Sequence, residues 1–352
     1  MNQKYDRLTV YFFSGTGNAK ACAGWICETA EKSGLAAEMI DISKVSADGI
    51  TPPGSGTLTG FCGPTHGFNF PFIMRKFIRK FPSVKGNDVF ILNTRGGVKF
   101  YKFILPGLSG SLHYLSSLVL ILKGYRIAGL YPVDMPANWT SLHPAMKETA
   151  INFIYSRQKM KVGKFAAHII SGSRVYRALF DLIQDMPAIP VSIAYCLVGR
   201  FILSKTYYAS HECNKCLRCQ KECPVDAIRI VNGRMFWTLQ CESCMHCMNV
   251  CPQKAIETSH GFLAAFVFFY VMAVSPLLEY LLKVFHEIRF IQIMNTPPVL
   301  FIIKNAAFLI LFIPVYRIFH FLLRYKIIER IMTLTSLTHL KFWGRYKAPE
   351  KF

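Results

Sequence analysis

Charged residues are scarce in this sequence. Only 17% of its 352 residues are charged and 52% are hydrophobic, whereas roughly a quarter of an ordinary soluble domain is charged. Acidic residues are scarcer than basic ones: the chain has 20 Asp and Glu and 41 Lys and Arg, which gives a formal net charge of +21. A composition this apolar indicates membrane association, and the basic excess suits an anionic lipid surface.

Several motifs are also missing. The chain has no recognition motif for nucleic acid, no GxGxxG dinucleotide loop, no Walker lysine and no catalytic dyad. It lacks an N-terminal secretory signal, so we expect its twelve Cys residues in a reducing compartment rather than in disulfides. The sequence therefore predicts no nucleic-acid partner and a cytoplasmic, anaerobic setting.

Eight of the Cys residues form two copies of the pattern CxxCxxCxxxCP. The copies are Cys213, Cys216, Cys219, Cys223-Pro224 and Cys241, Cys244, Cys247, Cys251-Pro252. Such a repeat is the ligand set of two 4Fe–4S clusters, in which the fourth ligand of each triplet comes from the other repeat. We therefore assign Cys251 to the first triplet and Cys223 to the second. A pair of zinc sites is the alternative, although zinc does not require the CxxxCP extension.

The first half of the chain alternates strands with helices. A buried strand, Leu8–Phe13, runs into a loop that precedes a helix, and the loop consists of Ser14, Gly15, Thr16, Gly17, Asn18 and Ala19. Strand, glycine-containing loop and helix N-terminus bring backbone N–H groups together around an anion. The loop predicts a site for the phosphate of a mononucleotide, with a plain tight turn as the alternative.

Small and polar residues also follow two later predicted strands, Thr57–Cys62 and Asp88–Leu92. These residues are Pro64, Thr65, His66 and Gly67 after the first of the two, and Asn93, Thr94, Arg95, Gly96 and Gly97 after the second. The carboxyl ends of parallel strands border the ligand crevice of an open α/β sheet. We therefore predict that both groups bind the same ligand as the phosphate loop.

This layout resembles that of a flavodoxin, and residues 207–258 resemble a bacterial two-cluster ferredoxin. The flavodoxin pattern hydroxyl–x–Thr–Gly–x–hydroxyl is met by Ser14, Thr16, Gly17 and Asn18, with Ala19 in place of the last hydroxyl. The resemblance implies bound FMN and a doubly wound parallel sheet of order 2-1-3-4-5. Both halves together resemble the flavodoxin–ferredoxin fusion proteins of anaerobes, which implies FMN and two 4Fe–4S clusters in one chain.

Two apolar stretches follow the Cys motifs, Gly261–Leu278 and Pro297–Leu323. The first has the length of a membrane span and the second is interrupted by Lys304 and Arg317. Joined by the loop Lys283–Thr296, they predict a hairpin whose basic tail faces the cytoplasm. Helices that lie in the bilayer surface are the alternative. Phe103–Leu122 and Val191–Leu203 are also unusually apolar for a soluble flavodoxin.

These observations predict an α/β flavodoxin-like domain, a small α+β ferredoxin-like domain and C-terminal hydrophobic helices. The predicted regions are 1–165 for FMN, 166–206 for connecting helices, 207–260 for two 4Fe–4S clusters and 261–352 for a membrane-associated region. The predicted function is electron transfer from a ferredoxin- or flavodoxin-like donor protein to a quinone or a membrane-bound enzyme, on the cytoplasmic side of the membrane. A reductase acting on a lipid-phase or small organic substrate, and a redox sensor, are the alternatives, so enzyme activity stays open.

Overall fold

A computed structural model of the chain describes residues 4–285, 292–293 and 296–349. The predicted loop Lys283–Thr296 and the last residues of the basic tail lie in part outside the described residues. A seven-stranded sheet occupies the first half of the chain. Its strands are β1 (Arg7–Phe12), β2 (Ala36–Asp41), β3 (Thr57–Pro64), β4 (Asp88–Phe100), β5 (Phe103–Leu105), β6 (Arg126–Pro136) and β7 (Val175–Tyr176).

The strands lie in the order β2-β1-β3-β4-β6-β7, and all of these neighbours pair in parallel. The predicted order 2-1-3-4-5 is thereby confirmed, with β6 as the fifth parallel strand. β7 adds an edge strand that the sequence did not predict. β5 folds back antiparallel on the last residues of β4, Val98–Phe100, and forms a hairpin beyond the end of the sheet.

Helices cover both faces of this sheet. They are α1 (Asn18–Lys32), α2 (Phe72–Lys80), α3 (Leu112–Leu122) and α4 (Glu148–Ile170). α1 and α4 share one hydrophobic core with one face of the sheet, and α2 and α3 share another core with the opposite face. β1 is buried on both faces as a result, which explains why its sequence is a continuous apolar run rather than an alternating one.

A helical segment connects the sheet to the Cys motifs. It consists of α5 (Leu182–Asp185), α6 (Ala188–Ala194) and α7 (Arg200–Ser204), and a π-helical stretch, Tyr195–Gly199, joins the last two into one helix. Arg177–Asp185 and Ala188–Ser204 meet at a bend of 82°. The single helix Ala188–Ser204 runs from the flavodoxin-like sheet toward the root of the C-terminal helices.

The Cys motifs lie in a small α+β unit. Two antiparallel pairs form it, β8 (Tyr207–Ala209) with β11 (Ile256–Thr258) and β9 (Ile228–Val231) with β10 (Arg234–Trp237). Its helices are α8 (Arg218–Lys221) and α9 (His246–Val250). Asn232 and Gly233 join β9 to β10 and both have positive φ, 50° and 71°. This is the backbone of a type I′ turn, which matches the twist of the two strands.

Two helices in the C-terminal part are long and apolar enough to cross a membrane. One is His260–Val284, made of α10 (His260–Phe269), a π-helical stretch and α11 (Ser275–Val284), and the other is α12 (Pro297–Leu322). Their 25 and 26 residues exceed the roughly 20 that a hydrocarbon core requires. Aromatic contacts hold them together, with Phe262 stacked on Phe319 at 4.0 Å between ring centroids. After α13 (Lys326–Leu334) the tail returns to the sheet, where Trp343 and Tyr346 are buried.

Candidate functional site

A cavity of about 570 Å³ lies at the carboxyl ends of the parallel strands, where an open α/β sheet binds its ligand. Twelve of the fifteen predicted ligand-binding residues line it. They are Ser14, Gly15, Thr16, Asn18, Ala19, Pro64, Thr65, His66, Gly67, Thr94, Arg95 and Gly96. Gly17, Asn93 and Gly97 do not line the cavity. Its volume lies within the range of small-molecule and cofactor sites.

The loop from Ser14 to Gly17 is shaped by its own hydrogen bonds. The Gly17 N–H donates to Ser14 Oγ at 3.1 Å, and Gly17 has a φ of 100°, a left-handed conformation that favours glycine. α1 begins at the next residue, and neither a side-chain cap nor an acidic residue satisfies the N–H groups of its first turn. A helix N-terminus in this state attracts an anion, so the loop fits a phosphate group.

The Asn18 side chain points into the protein rather than toward a ligand. Its Nδ2 donates to the Pro136 carbonyl at 3.0 Å, and its Oδ1 accepts from the hydroxyls of Tyr155 at 2.8 Å and Tyr346 at 2.5 Å. Asn18 contributes its backbone to the cavity, and its buried amide fixes the first turn of α1. Tyr346 belongs to the C-terminal tail, so the last part of the chain supports the phosphate loop.

Asn93 has a similar inward role. Its Nδ2 donates to Thr65 Oγ1 at 2.7 Å and to Ser109 Oγ at 3.0 Å, and its Oδ1 accepts from His113 Nε2 at 2.7 Å. Burial, and then the charge of Arg95, lower the pKa of His113 to about 3. The ring is therefore neutral at physiological pH. This network fixes the loop after β3 relative to the middle of β4. The predicted strand Asp88–Leu92 was too short, because β4 continues to Phe100 and residues 93–97 pair with β6 within it rather than forming a loop.

The Arg95 side chain is neutralised within the fold. Its guanidinium pairs with Asp134 at 2.7 Å and with Asp181 at 2.9 Å, and little of the side chain is exposed. Gly97 leaves no space for a side chain, because an added Cβ would lie 2.9 Å from the Asp134 backbone oxygen. Both residues hold the carboxyl-terminal parts of β4 and β6 together, which leaves the backbone of residues 94–96 to line the cavity.

An aromatic wall lies opposite the phosphate loop. The His66 ring stacks on Trp139 at 6.1 Å between centroids, and Trp139 meets the edge of Tyr195 at 5.9 Å. Gly67 adopts a φ of 51° directly against the Tyr195 ring. The residues predicted from the sequence to bind the ligand include neither Trp139 nor Tyr195. No local pattern connects Tyr195 with Gly67.

His66 carries an unpaired polar atom in this wall. Its Nδ1 is buried and has no hydrogen-bond partner among the residues that the structure describes. Burial lowers the pKa of His66 to about 4, so the ring stays neutral near pH 7. A flat cavity wall with one unsatisfied nitrogen fits a planar aromatic ligand that has polar atoms on its edge.

The eight motif Cys residues gather in two groups that cross between the repeats. Cys213, Cys216, Cys219 and Cys251 line one small cavity. Burial raises the pKa of Cys219 to about 11, and the neighbouring thiols of Cys213 and Cys251 contribute to the rise. In the other group, burial raises the pKa of Cys241 to about 12 and Cys223 is its thiol neighbour. Burial also raises the pKa of Cys244 and of Cys247, and the neighbouring thiols of Cys241 and then Cys223 add to both rises.

These two groups fit iron–sulfur clusters. Buried thiols with raised pKa values become thiolates only beside positive charge, which iron ions would supply. Within the described part of the chain, no three Cys, His, Asp or Glu side chains are gathered closely enough for a single metal ion. The four Cys residues of the first group instead surround one small cavity, and the spacing of both groups is that of a 4Fe–4S ligand set.

The backbone of the two triplets repeats an unusual conformation. Lys215 and Leu217 have φ of 57° and 62°, and their counterparts Ser243 and Met245 have 51° and 63°. Non-glycine residues adopt positive φ at a cost, and a cost repeated at equivalent positions indicates a loop built around a ligand. Backbone N–H groups also point at sulfur in each repeat, from Ala227 to Cys223 at 3.2 Å and from Ala255 to Cys251 at 3.3 Å.

The loop of the second triplet forms part of the large cavity. Ser243, Cys244 and Met245 line it beside the phosphate loop. A Cβ added to Gly15 would lie 2.3 Å from the Cys244 backbone oxygen. The Trp139 indole N–H donates to the Ser243 carbonyl at 3.0 Å. The candidate ligand cavity and the second Cys group are therefore direct neighbours.

Comparison with known proteins gives one family match and several similar solved structures. Residues 212–256 match the family described as 4Fe-4S dicluster domain. A comparison with curated protein sequences finds no match. Among solved structures, a flavodoxin from Streptococcus pneumoniae TIGR4 is 16% identical, with 46% of this chain and 97% of that chain covered and a TM-score of 0.30.

Two further solved structures are similar to the same share of the chain. Megasphaera elsdenii flavodoxin is 17% identical, with 46% of this chain and 98% of that chain covered and a TM-score of 0.29. Flavodoxin 1 from Bacillus cereus is 16% identical, with 46% and 95% covered and a TM-score of 0.32. The fold assignment rests on the strand order of the sheet itself. The chain combines a flavodoxin-like fold with a 4Fe–4S domain.

Proposed function

We propose that the protein is a membrane-attached iron–sulfur flavoprotein that transfers electrons through FMN and two 4Fe–4S clusters. The observation that carries this proposal is the contact between Gly15 of the phosphate loop and Cys244 of the second Cys group. Ser243, Cys244 and Met245 also line the cavity that would hold the flavin. Electron transfer requires adjacent cofactors, and this junction would place a flavin directly beside a cluster.

The residues of the cavity divide into three tasks. Backbone N–H groups of the Ser14–Ala19 loop would bind the phosphate, because the first turn of α1 is free of acidic residues. The loop at 64–67 and residues 94–96 of β4 would contact the ring system through backbone groups and His66. Trp139 and Tyr195 would exclude water from one side of it. FMN exchanges one or two electrons and each cluster exchanges one, so the chain would connect two-electron with one-electron chemistry.

The two Cys groups would hold two clusters with different positions. The group of Cys223, Cys241, Cys244 and Cys247 lies beside the flavin cavity, and we call its cluster the inner cluster. The group of Cys213, Cys216, Cys219 and Cys251 would hold the outer cluster. Cys216 is exposed, so the outer cluster is the one that a ferredoxin- or flavodoxin-like donor protein could approach. Lys215 and Lys221 flank it and favour an acidic partner.

Membrane attachment would come from His260–Val284 and α12. Only 17% and 11% of their most apolar windows are buried inside the protein, which leaves apolar side chains for lipid. Their root packs on the ferredoxin-like unit, where Phe236 of β10 contacts Tyr316 at 5.6 Å between ring centroids. This packing would hold the clusters beside the membrane, on the side that the positive-inside rule assigns to the cytoplasm, with a quinone or a membrane-bound enzyme as acceptor.

Two measurements test this proposal. Anaerobically purified protein should contain about eight irons and eight sulfides per chain, together with one FMN. Two zinc ions, or FAD in place of FMN, would contradict it. The protein should also stay in the membrane fraction after a high-salt wash, since salt screens electrostatic adsorption but not the burial of apolar helices. Release by salt alone would exclude the hairpin.

A further inference from the structure

The flavin domain exposes an extended apolar surface of its own. It comprises the β4–β5 hairpin (98–105), the outer side of α3 (115–122) and the segment 179–197, and we call it the lateral surface. Its most exposed side chains are Tyr101, Phe103, Leu122, Phe180, Ile183 and Leu197. Ile183 is 85% exposed and Phe180 is 79% exposed. Monomeric soluble proteins rarely leave such large apolar side chains together in water.

Charges at the lateral surface have one sign. Residues 98–122 include Lys99 and Lys102 and no acidic residue. Residues 174–204 include two carboxylates, and both are turned inward: Asp181 pairs with Arg95 at 2.9 Å, and buried Asp185 accepts from the Ser109 N–H at 2.8 Å. Arg174 and Arg177 are exposed. An apolar surface bordered by cations alone is complementary to a bilayer that contains anionic lipids.

The lateral surface is continuous with the candidate membrane hairpin. The Tyr114 hydroxyl of α3 donates to the Ala178 carbonyl at 3.3 Å, which joins α3 to the segment after β7. The helix Ala188–Ser204 then continues to Ile202, which packs against the aromatic cluster at the root of the hairpin, with Phe262 and Phe319 among its members. The segment that begins at Phe180 therefore leads, through the helix Ala188–Ser204, to the root of the two long apolar helices.

The opposite layer of the domain differs. α4 exposes Met160, but its other outward residues include Arg157, Lys159, Lys161 and Lys164, and Lys159 pairs with Glu28 of α1 at 3.4 Å. α1 and α4 thus present the mixed, charged surface of a soluble protein. Large exposed apolar side chains are therefore far more numerous on the lateral surface than on α1 and α4.

We propose that the lateral surface rests in the headgroup–acyl boundary of the membrane that the hairpin enters, an inference that rests on the proposed membrane attachment. Ala188–Ser204 packs on the protein along one side, where Ser192 is buried and Arg200 lies over the Phe72 ring at 4.5 Å. Ile193 and Leu197 are exposed along the other side. A helix that is packed on the protein along one side and exposes apolar side chains along the other suits a position in the membrane interface.

This placement has a consequence for the acceptor. Val191, Tyr195 and Leu203 of the same helix line the flavin cavity. In this placement the single helix Ala188–Ser204 separates the cavity from the lipid, and the exposed apolar side of the helix lies in the membrane. A two-electron acceptor dissolved in lipid, rather than one dissolved in water, would reach the flavin most directly from this side.

The experiment uses the full-length protein with its cofactors, reconstituted in vesicles of phosphatidylcholine and phosphatidylglycerol. A lipid-dissolved diazirine photolabel is activated, and the labelled peptides are identified by mass spectrometry. Peptides from 98–122 and 177–197 should be labelled together with the two hairpin helices, and peptides from 148–170 should not. The double variant Phe180→Glu/Ile183→Glu should lose labelling in both lateral peptides severalfold, whereas Met160→Glu should leave it unchanged.

A second readout separates this proposal from the proposed function. The double variant should reduce a lipid-dissolved quinone severalfold more slowly than the unmodified protein does. It should reduce a water-soluble acceptor at the same rate as the unmodified protein. If the hairpin helices are labelled and the lateral peptides are not, the proposal fails while membrane attachment stands. If no segment is labelled, membrane attachment fails as well. If the double variant converts a detergent-solubilised dimer to a monomer without any lipid labelling, a second copy covers the surface, and the proposal is wrong.

Discussion

The Nδ1 atom of His246 lies 2.8 Å from the backbone carbonyl oxygen of Gly15. Because a carbonyl oxygen only accepts, the imidazole donates this hydrogen bond. It joins the loop of the second Cys triplet to the phosphate loop across more than half of the chain. Glu242, in the loop of the second Cys triplet, makes a further contact with the flavodoxin-like domain. Its carboxylate accepts from the N–H groups of Phe72 and Ile73 at 3.0 Å each, at the N-terminus of α2.

Gly15→Ala should separate the two loops. The added Cβ would meet the Cys244 backbone, which cannot move aside as a flexible side chain would, and overpacking of this kind costs about 1–3 kcal/mol. We expect weaker FMN binding and slower electron exchange between flavin and inner cluster. Gly24→Ala is the matched control, because nothing lies within 4 Å of its Cβ position. Equal FMN affinity and equal electron-transfer rates in both variants would refute the contact.

The crossed grouping of Cys residues predicts which cluster each substitution removes. Cys251→Ala should destroy the outer cluster, although Cys251 belongs to the second repeat, and Cys223→Ala should destroy the inner one. Electron paramagnetic resonance of the reduced variants should each time show loss of one cluster signal, with about half of the iron remaining. Cys196→Ala, outside both motifs, should retain all of it. If Cys251→Ala instead removes the signal that Cys247→Ala removes, the ligands do not cross.

The C-terminal tail should contribute to flavin affinity. Tyr346→Phe removes the hydroxyl that donates to Asn18 at the start of α1. A lost neutral hydrogen bond costs about 1 kcal/mol, so the Kd for FMN should rise roughly fivefold. Deletion of residues 343–352 should have a larger effect, because it also removes the Trp343 indole that donates to the Thr140 carbonyl at 2.6 Å. Flavin fluorescence titration measures both, with Tyr101→Phe at an exposed position as control. An unchanged Kd after the deletion would show that the tail does not support the loop.

The buried His113 should make the flavin domain sensitive to acid. Its pKa in the folded protein is about 3 and about 6.5 in the unfolded chain, so protons favour unfolding. The stabilisation by the neutral ring is complete above pH 6.5 and decreases as the pH falls toward 3, with a loss of roughly 2 kcal/mol by about pH 5. Urea unfolding followed by flavin fluorescence should show this slope, and His113→Gln should flatten it. His168→Gln, at an exposed position, is the control. If the free energy of unfolding falls with pH as steeply in His113→Gln as in this control, the assignment is wrong.

Local sequence patterns were sufficient to predict the elements that would bind a ligand through the backbone. The apolar run before Ser14, the glycines and the helix after them predict a phosphate loop because each property acts within a few residues. The strand order followed from alternating strands and helices together with the flavodoxin resemblance. β7 was not predicted because a strand of two residues is too short to show hydrophobic periodicity. Which Cys residues bind iron stays a prediction, although the spacing alone led to the crossed groups that the structure brings together.

Contacts between distant segments could not be predicted. His246 reads as a surface residue from its neighbours, and only the folded chain brings it to Gly15. Arg95 was predicted to contribute backbone donors to the ligand site and it lines the cavity, but no local pattern indicated that its side chain pairs with Asp134 and Asp181 on two other segments. A pattern identifies a loop at a strand end, whereas the direction of each side chain depends on partners that no local sequence specifies.

The most direct test of the account is the route by which electrons reach the flavin. Oxidised protein is mixed rapidly with a reduced ferredoxin, and absorbance reports cluster and flavin reduction separately. The account predicts that the clusters are reduced first and that Cys223→Ala, which lacks the inner cluster, reduces its flavin far more slowly although FMN stays bound. If the flavin of Cys223→Ala is reduced as fast as that of the unmodified protein, the inner cluster is not on the path and the central claim is wrong.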